Sequence, residues 1–360
     1  MGNNIYHVIT TISRGGAENQ LLTLAREQVL KGDKVNVVFL KSEPELLLEF
    51  QNSGIKVLST LAGKSFLKQV WIFSKMNFPP GSVVHSHLPR AELLCFLSRI
   101  KSPYVVTRHN SEAFFPGAPR KLSNFLSRKV IRKARTVIAI SEAVSNYIKT
   151  NHEVYETDFG KLIVIHYGAS SENYKIRFRK SSVTERIILG TAARLTEQKD
   201  IPTLLRGFKI ILLTYPGARL RIAGDGPLKS SLVQFTSKLG IEKSVDWLGS
   251  VSNMDSFYSD IDCFILSSKY EGFGLVLLEA LEYGLPIVAT RTTSIPEVVG
   301  DKGGLLFEVG NPYELAACVR SVMGTTEQPG IKLNPVTALK KFSIEVTTAR
   351  ITAVYEAIAG

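Results

Sequence analysis

A chain of 360 residues exceeds one ordinary domain core and suits two α/β domains. With 44% hydrophobic and 21% charged residues it has a globular balance, which excludes extended disorder. Its 44 lysines and arginines against 32 acids leave a net charge of +12, which suits an anionic partner: nucleic acid, lipid headgroups or a phosphorylated substrate.

Three cysteines, Cys95, Cys263 and Cys318, lie far apart in apolar runs. No CxxC or Cys/His spacing accompanies them, so they read as reduced core residues of a cytosolic protein. The first ten residues lack a charged leader and a long apolar stretch. No segment approaches the roughly 20 apolar residues that a spanning helix needs. The expected location is cytoplasmic, at most peripheral on the inner face of the cytoplasmic membrane.

In chain order, Ile5 to Thr10 reads as a strand, followed by Ser13-Arg14-Gly15-Gly16-Ala17-Glu18 and an amphipathic helix from Ala17 to Lys31. The two glycines let backbone N–H groups approach an anion at the helix start. The spacing is not GxGxxG, and a plain tight turn is the alternative. Val35 to Leu40, Tyr104 to Thr107, Thr136 to Ile140 and Leu162 to Ile165 are nearly continuous, β-branched runs, the pattern of buried parallel strands. Pro119 to Ala134 reads as another amphipathic helix. This βαβ rhythm predicts a doubly wound parallel sheet.

Val83-Val84-His85-Ser86-His87 is a strand ending in histidines, with His85 and His87 on one face. His87 is the candidate substrate contact and His85 the better fit to a structural role. Two histidines with no third ligand nearby make a poor metal site. Thr107-Arg108-His109-Asn110 ends the next strand in a similar way, which places His109 and Asn110 as candidates on the same side.

The rhythm breaks at residues 169–184, which are polar and without period, and this stretch is expected to be a linker. A second α/β unit then begins, with strands at Ile187 to Gly190, Leu220 to Gly224, Cys263 to Leu266 and Pro286 to Ala289. The expected domains are therefore 1–168, the linker 169–184, 185–341, and a terminal helix over 342–360. Two such sheets with facing strand ends would enclose a cleft.

In the second unit, Gly190 to Asp200 follows a strand and precedes a helix. Its Arg194 and Lys199 supply a guanidinium fork and a point charge suited to a diphosphate, with solvated loop cations as the alternative. Glu271-Gly272-Phe273-Gly274-Leu275-Val276-Leu277-Leu278-Glu279 sets two carboxylates around a glycine turn at the start of an apolar helix. Glu279 within that run needs a partner, and sugar hydroxyls would serve. The helix's first N–H groups could face phosphate. Asp260-Ile261-Asp262 has the form of a metal-holding Asp-x-Asp, but it runs straight into a strand and reads as a structural turn.

Taken together and in order, these stretches resemble family 4 of the glycosyltransferases, which have the GT-B fold of two Rossmann-like domains facing a cleft. Glu271 to Glu279 resembles that family's E-x7-E motif, and Arg194 through Lys199 resembles its phosphate clamp. Gly15-Gly16-Ala17-Glu18 is similar to its amino-terminal glycine loop. Ala139 to Val144 and Val164-Ile165-His166-Tyr167-Gly168 are similar to segments near its crossover. Ala223-Gly224-Asp225-Gly226-Pro227 and Leu248-Gly249 are similar to loops around the donor's base.

The resemblance implies retaining transfer from a nucleotide sugar, by default UDP-linked. Catalytic roles would fall to His87, Arg194, Lys199 and Glu271. Donor contacts would come from Gly16, Arg194, Lys199, Gly224, Pro227, Glu271, Phe273, Gly274, Leu275 and Glu279, with Glu279 on the ribose. Gly15, His109 and Asn110 are candidates on the acceptor side. No metal and no cofactor is expected, because the cations do that electrostatic work. The chain departs from the family in Tyr167-Gly168-Ala169-Ser170 and in Thr290-Arg291-Thr292-Thr293-Ser294, where the family is often glycine-rich, so the sugar stays open. Phe342 to Ile358 resembles the helix that returns to the amino-terminal domain.

The helix after Pro119 carries Arg120, Lys121, Arg128, Lys129, Arg132, Lys133 and Arg135 among Leu122, Phe125, Leu126, Val130 and Ile131. An anionic membrane surface is one partner for it, and packing on the sheet is the plain alternative. The expected acceptor is a lipid-linked saccharide in bacterial polysaccharide or lipopolysaccharide assembly. Rival readings are a GT-B epimerase or phosphorylase, a non-catalytic nucleotide-sugar sensor, and a nucleic-acid binder. No nucleic-acid signature is present.

Overall fold

The computed structural model describes residues 2–169, 187–325 and 329–359. The chain divides into two compact units, one from Met1–Ser170 with Phe342–Gly360 and one from Ser171–Lys341. Apart from Ala169, the expected linker lies outside the described residues.

The first unit runs β1 (Asn4–Ile9), α1 (Gly16–Leu30), β2 (Lys34–Phe39), α2 (Leu47–Asn52), β3 (Lys56–Leu58), α3 (Phe66–Ser74), β4 (Ser82–His87), α4 (Pro89–Leu97), β5 (Tyr104–Arg108), α5 (Arg120–Lys133), β6 (Thr136–Ala139), α6 (Glu142–Thr150) and β7 (Leu162–Val164). Its seven strands are ordered β3-β2-β1-β4-β5-β6-β7, and all of the pairings are parallel. Every residue of β5 and all but Lys34 of β2 are buried. This is why these runs read as continuous rather than alternating: helices cover both faces of a parallel sheet. The Ser141 hydroxyl caps α6 by accepting from the Val144 N–H.

The second unit runs β8 (Ile188–Ala192), α7 (Ile201–Ile211), β9 (Arg219–Ala223), α8 (Lys229–Leu239), β10 (Val245–Gly249), α9 (Met254–Ser259), β11 (Cys263–Leu266), α10 (Leu275–Glu282), β12 (Ile287–Thr290), α11 (Ile295–Gly303), β13 (Gly304–Phe307), α12 (Pro312–Met323) and α13 (Pro335–Leu339). Its six parallel strands are ordered β10-β9-β8-β11-β12-β13. Leu204, Leu205, Phe208 and Ile211 of α7 pack with Leu315 and Val319 of α12 and with Ile222, Ile265 and Val288 of the sheet. Both units thus have the Rossmann-like architecture of the expected GT-B fold.

The terminal helix α14 (Ile344–Ala359) belongs to the first unit, where Ile344, Ile351 and Tyr355 join the core built on α1 and the sheet. The chain reaches it through a backbone bridge in which Ala169 N–H donates to Phe342 O and Ile344 N–H to Ala169 O. Gly168 makes this approach possible: a Cβ there would lie 2.5 Å from Ile344 Cα.

In each sheet the chain works outward to one edge and then returns to the other side of the starting strand. The switch lies between β1 and β4 in the first unit and between β8 and β11 in the second. Connections leaving the carboxyl ends at such a point diverge and open a crevice, where doubly wound sheets bind ligands.

Candidate functional site

Most of the sequence-predicted residues lie at or after the carboxyl ends of the strands at these two switch points, while His109 and Asn110 follow β5 and Gly224 and Pro227 follow β9. In the second unit, Arg194 and Lys199 leave the end of β8, and Glu271 follows β11. Lys199 Nζ lies 2.6 Å from Glu271 Oε1, and the Ser268 hydroxyl donates to the same oxygen at 2.6 Å. Glu271 is fixed further through its backbone. Its N–H donates to Thr293 Oγ1 (2.8 Å), and Ser294 Oγ donates to its carbonyl (3.2 Å). The Thr-Thr-Ser stretch, where the resembled family is often glycine-rich, therefore braces the Glu271 turn. Thr293 takes a left-handed φ of +44° to do so. Arg194 is exposed.

Gly274 caps α10 in the left-handed region (φ +87°), and Phe273 is buried beneath it. Glu279, one turn into α10, has the partner its setting demands: the Tyr258 hydroxyl of α9 donates to its Oε2 at 2.6 Å. Burial raises the Glu279 pKa and this hydrogen bond partly offsets the rise. Gly224 follows β9 with φ +130°, and a Cβ there would fall 2.0 Å from Ala193 O. The loop after β9 thereby packs directly on the loop after β8, with Pro227 exposed beside it. Asp260 pairs with Arg221 (3.1 Å) and Asp262 accepts from the Ile188 N–H (2.8 Å), so the Asp-x-Asp serves the α9-to-β11 turn.

In the first unit, Gly15 is the extended cap residue of α1 and Gly16 its first residue. A Cβ at Gly15 would lie 2.5 Å from Glu18 Oε2, so glycine leaves room for this carboxylate over the helix start. Burial raises the Glu18 pKa.

His87, expected at the sugar, is buried, with its Nε2 3.0 Å from His7 Nδ1 and its Nδ1 3.2 Å from His109 Nε2. His109 Nδ1 meets the Tyr167 hydroxyl in turn. His85 is bonded to Tyr355 and Thr107, the structural role expected for it. Asn110 is exposed at the end of β5. Gln20, His87, His109, Tyr167, Thr347 and Ile351 line part of a small cavity within this unit.

One expectation needs correction. His85 and His87 do have a third histidine beside them. Parallel register sets His7 of β1 opposite His85, and ligand-capable atoms of His7, His85 and His87 lie within 4.8 Å of one another. The sequence showed the two histidines of one strand but could not show which residue of a distant strand pairs with them. Each of these ring nitrogens already has a protein partner. Other residues the sequence did not flag are Ser268 and Tyr258, which with Thr293 of the departing stretch hold the two motif glutamates from separate elements.

A second buried cluster lies behind His109. Arg108 Nε is 2.8 Å from Glu92 Oε2 and its Nη1 3.2 Å from Glu153 Oε2, while Nη2 donates to Ser127 Oγ. Glu153 also accepts from the Phe114 N–H. This ties α4, α5 and the loop after β5 together. Burial pushes Glu92 up to about 7 against the opposing pull of Arg108, with Glu153 adding to the rise.

Among the described residues no helix is long and apolar enough to cross a membrane. On α5, Val130 and Ile131 pack inward while Leu122 and Phe125 are exposed.

Two family models match the chain in succession: Glycosyltransferase Family 4 over residues 14–172 and Glycosyl transferases group 1 over residues 172–329. The chain is 30% identical to N-acetyl-alpha-D-glucosaminyl L-malate synthase of Bacillus anthracis, over 65% of this chain and 63% of that protein. It is 24% identical to the capsular polysaccharide biosynthesis glycosyltransferase CapM of Staphylococcus aureus, over 89% and 87%. It spans less than two thirds of the length of the first curated relatives it matches. The Anabaena protein HepE, solved in complex with UDP and glucose, shares the fold with a TM-score of 0.81 at 19% identity, over 98% of this chain and 99% of that one.

Proposed function

We propose that this chain, a GT-B-fold glycosyltransferase related to the group 1 and Family 4 models, transfers a sugar from a nucleoside diphosphate, UDP by preference, with retention of configuration and without a metal. The observation that carries this reading is the Lys199–Glu271 pair at the β8/β11 switch point, with Arg194 on the same connection. In the second unit, read as the donor domain, Arg194 and Lys199 neutralise the diphosphate as it leaves. Glu271 orients the sugar hydroxyls and Glu279 holds the ribose.

The acceptor oxygen attacks the anomeric carbon on the face that the phosphate leaves. The carbon–phosphate oxygen bond breaks as the new glycosidic bond forms, and the acceptor proton passes to the departing phosphate oxygen. In the first unit, read as the acceptor domain, the glycine loop, His87 and His109 are the residues we assign to substrate. HepE with bound UDP and glucose supports the donor class.

The acceptor we propose is a lipid-linked saccharide of polysaccharide or lipopolysaccharide assembly, in line with the relative CapM. Charge segregation supports an anionic membrane surface as its setting. Between Lys64 and Arg135 the sequence has fourteen lysines and arginines and two acids, Glu92 and Glu112, an excess equal to the net +12 of the whole chain. Exposed Leu67 and Trp71 on α3 and Leu122 and Phe125 on α5 lie within this stretch.

A thermal-shift and slow-hydrolysis screen of UDP- and GDP-sugars, with and without EDTA, on the native chain and on Arg194→Ala tests the core of this reading. One donor should stabilise the protein and turn over, unaffected by EDTA and lost in the variant. Stabilisation without turnover, even with acceptors supplied, would instead favour a non-catalytic nucleotide-sugar sensor. Silence towards every donor would sink both.

A further inference from the structure

Gln28 of α1, His7 of β1, His87 of β4, His109 of β5 and Tyr167 form a continuous buried chain. Gln28 Oε1 is 2.8 Å from His7 Nε2, His7 Nδ1 is 3.0 Å from His87 Nε2, His87 Nδ1 is 3.2 Å from His109 Nε2, and His109 Nδ1 meets Tyr167 Oη. The other end of the Gln28 amide donates to Tyr355 Oη at 3.5 Å, which leaves its carbonyl on His7. Burial keeps the three rings neutral: it pulls His7 down to about 4 and His109 down to about 3, and it lowers His87 together with the neighbouring histidines.

A neutral imidazole has one N–H and one acceptor nitrogen. An amide carbonyl only accepts, so His7 must carry its proton on Nε2. Its Nδ1 then accepts, so His87 carries its proton on Nε2 as well, and the same step fixes His109. Turning the amide over would reverse every bond in the series. No arrangement with one ring opposed to its neighbour satisfies all the nitrogens.

We infer that Gln28 is a positioning residue whose amide sets the donor and acceptor polarity of His87 and His109. With its carbonyl on His7, all three rings hold their protons on Nε2, and His109 accepts from Tyr167. The series ends on an amide, which takes up no proton near neutral pH, so it orients the rings rather than carrying a proton away. The use of this polarity at a sugar rests on the transferase reading; the polarity itself does not. A metal ion on His7, His85 and His87 would have to displace the bonds that define it.

Long-range proton–nitrogen NMR of the full chain with ring-¹⁵N histidine, assigned by single replacement of each ring, reads the tautomers directly. At pH 7 the native protein should show His7, His87 and His109 each with a protonated Nε2 and a bare Nδ1. Gln28→Met, of similar length but without the acceptor, should lose this single-tautomer signature at His87 and His109. A proton on Nδ1, or on both nitrogens, of any of the three rings in the native protein would overturn the inference, and that result requires no variant to fold. A folded Gln28→Met with all three rings unchanged would overturn it too. So would loss of the ring N–H signals on titration with zinc at stoichiometric concentration. Failure of the donor screen would leave these readings intact, so the two proposals fail separately.

Discussion

Lys199 and Glu271, 72 residues apart in the chain, form an ion pair of 2.6 Å at the carboxyl end of the second sheet. The pair is half-buried at Lys199 and buried at Glu271, so neither charge is left unpaired in low dielectric. It also means that each side chain sets the other's position before any donor arrives. On the proposed reading the Lys199 ammonium is shared between Glu271 and the diphosphate.

Lys199→Ala should therefore lower donor hydrolysis by about 10²–10³, the usual cost of removing one preorganised donor to a developing negative charge. Glu271→Gln should also lower it, and the double variant should lose less than the two singles together. A double-mutant cycle would give the coupling, expected at about 0.5–3 kcal/mol for groups in direct contact. Additive losses would show that the pair does not work as a unit.

Tyr258 donates to Glu279 and so favours its charged form. Tyr258→Phe removes that donor and leaves burial unopposed, which raises the Glu279 pKa further. If Glu279 binds ribose as a carboxylate, donor affinity measured against pH should fall off at a higher pH in Tyr258→Phe than in the native chain. An acid limb that does not move would separate Glu279 from donor binding.

Glu92 bears on stability rather than chemistry. Its folded pKa of about 7 lies above that of an unfolded carboxyl, so the native state holds the proton more tightly. The stabilisation this contributes is complete below about pH 4.3, the unfolded value, and is lost as pH rises through about 7. The native melting temperature should fall between pH 5 and 8, and Glu92→Gln should flatten that slope. Equal slopes in the two proteins would show that Arg108 holds Glu92 ionised throughout.

For the basic face, neutralising Arg128, Lys129, Arg132 and Lys133 should abolish binding to vesicles rich in anionic lipid while donor hydrolysis persists. Lys133 Nζ already donates to the Phe96 carbonyl and Lys129 sits over Phe125. Leu122→Ser with Phe125→Ser should therefore weaken binding as well, and the residual binding should remain salt-sensitive. Unchanged sedimentation with vesicles in both variants would remove α5 from the membrane reading. Equal affinity for generic DNA would reopen the nucleic-acid alternative.

Much of the fold is legible in the sequence, because buried parallel strands announce themselves as β-branched apolar runs. The apolar run Cys263–Leu266 coincides with β11, and the helical patterns match α1 and α5 to within one residue at each end. Short or weakly periodic helices such as α2 and α13 left no comparable signal. The same held at the site. Motif spacing marks Glu271 and Glu279, and the departure at residues 290–294 marks the stretch of Thr293, but Ser268 and Tyr258, which also hold the glutamates, have no local pattern that would set them apart.

The sequence by itself determined that two α/β units alternate strand and helix, where the glycine turns fall, and which charged residues stand at strand ends. These depend on the period of side chains along one segment, which is local. The tertiary structure alone decided that Lys199 meets Glu271, that His7 completes a row of histidines with His87 and His109, and that Gln28 and Tyr355 close on it from α1 and α14. Those contacts depend on strand order and register, which bring together residues tens to hundreds of positions apart, and no period within one segment encodes them.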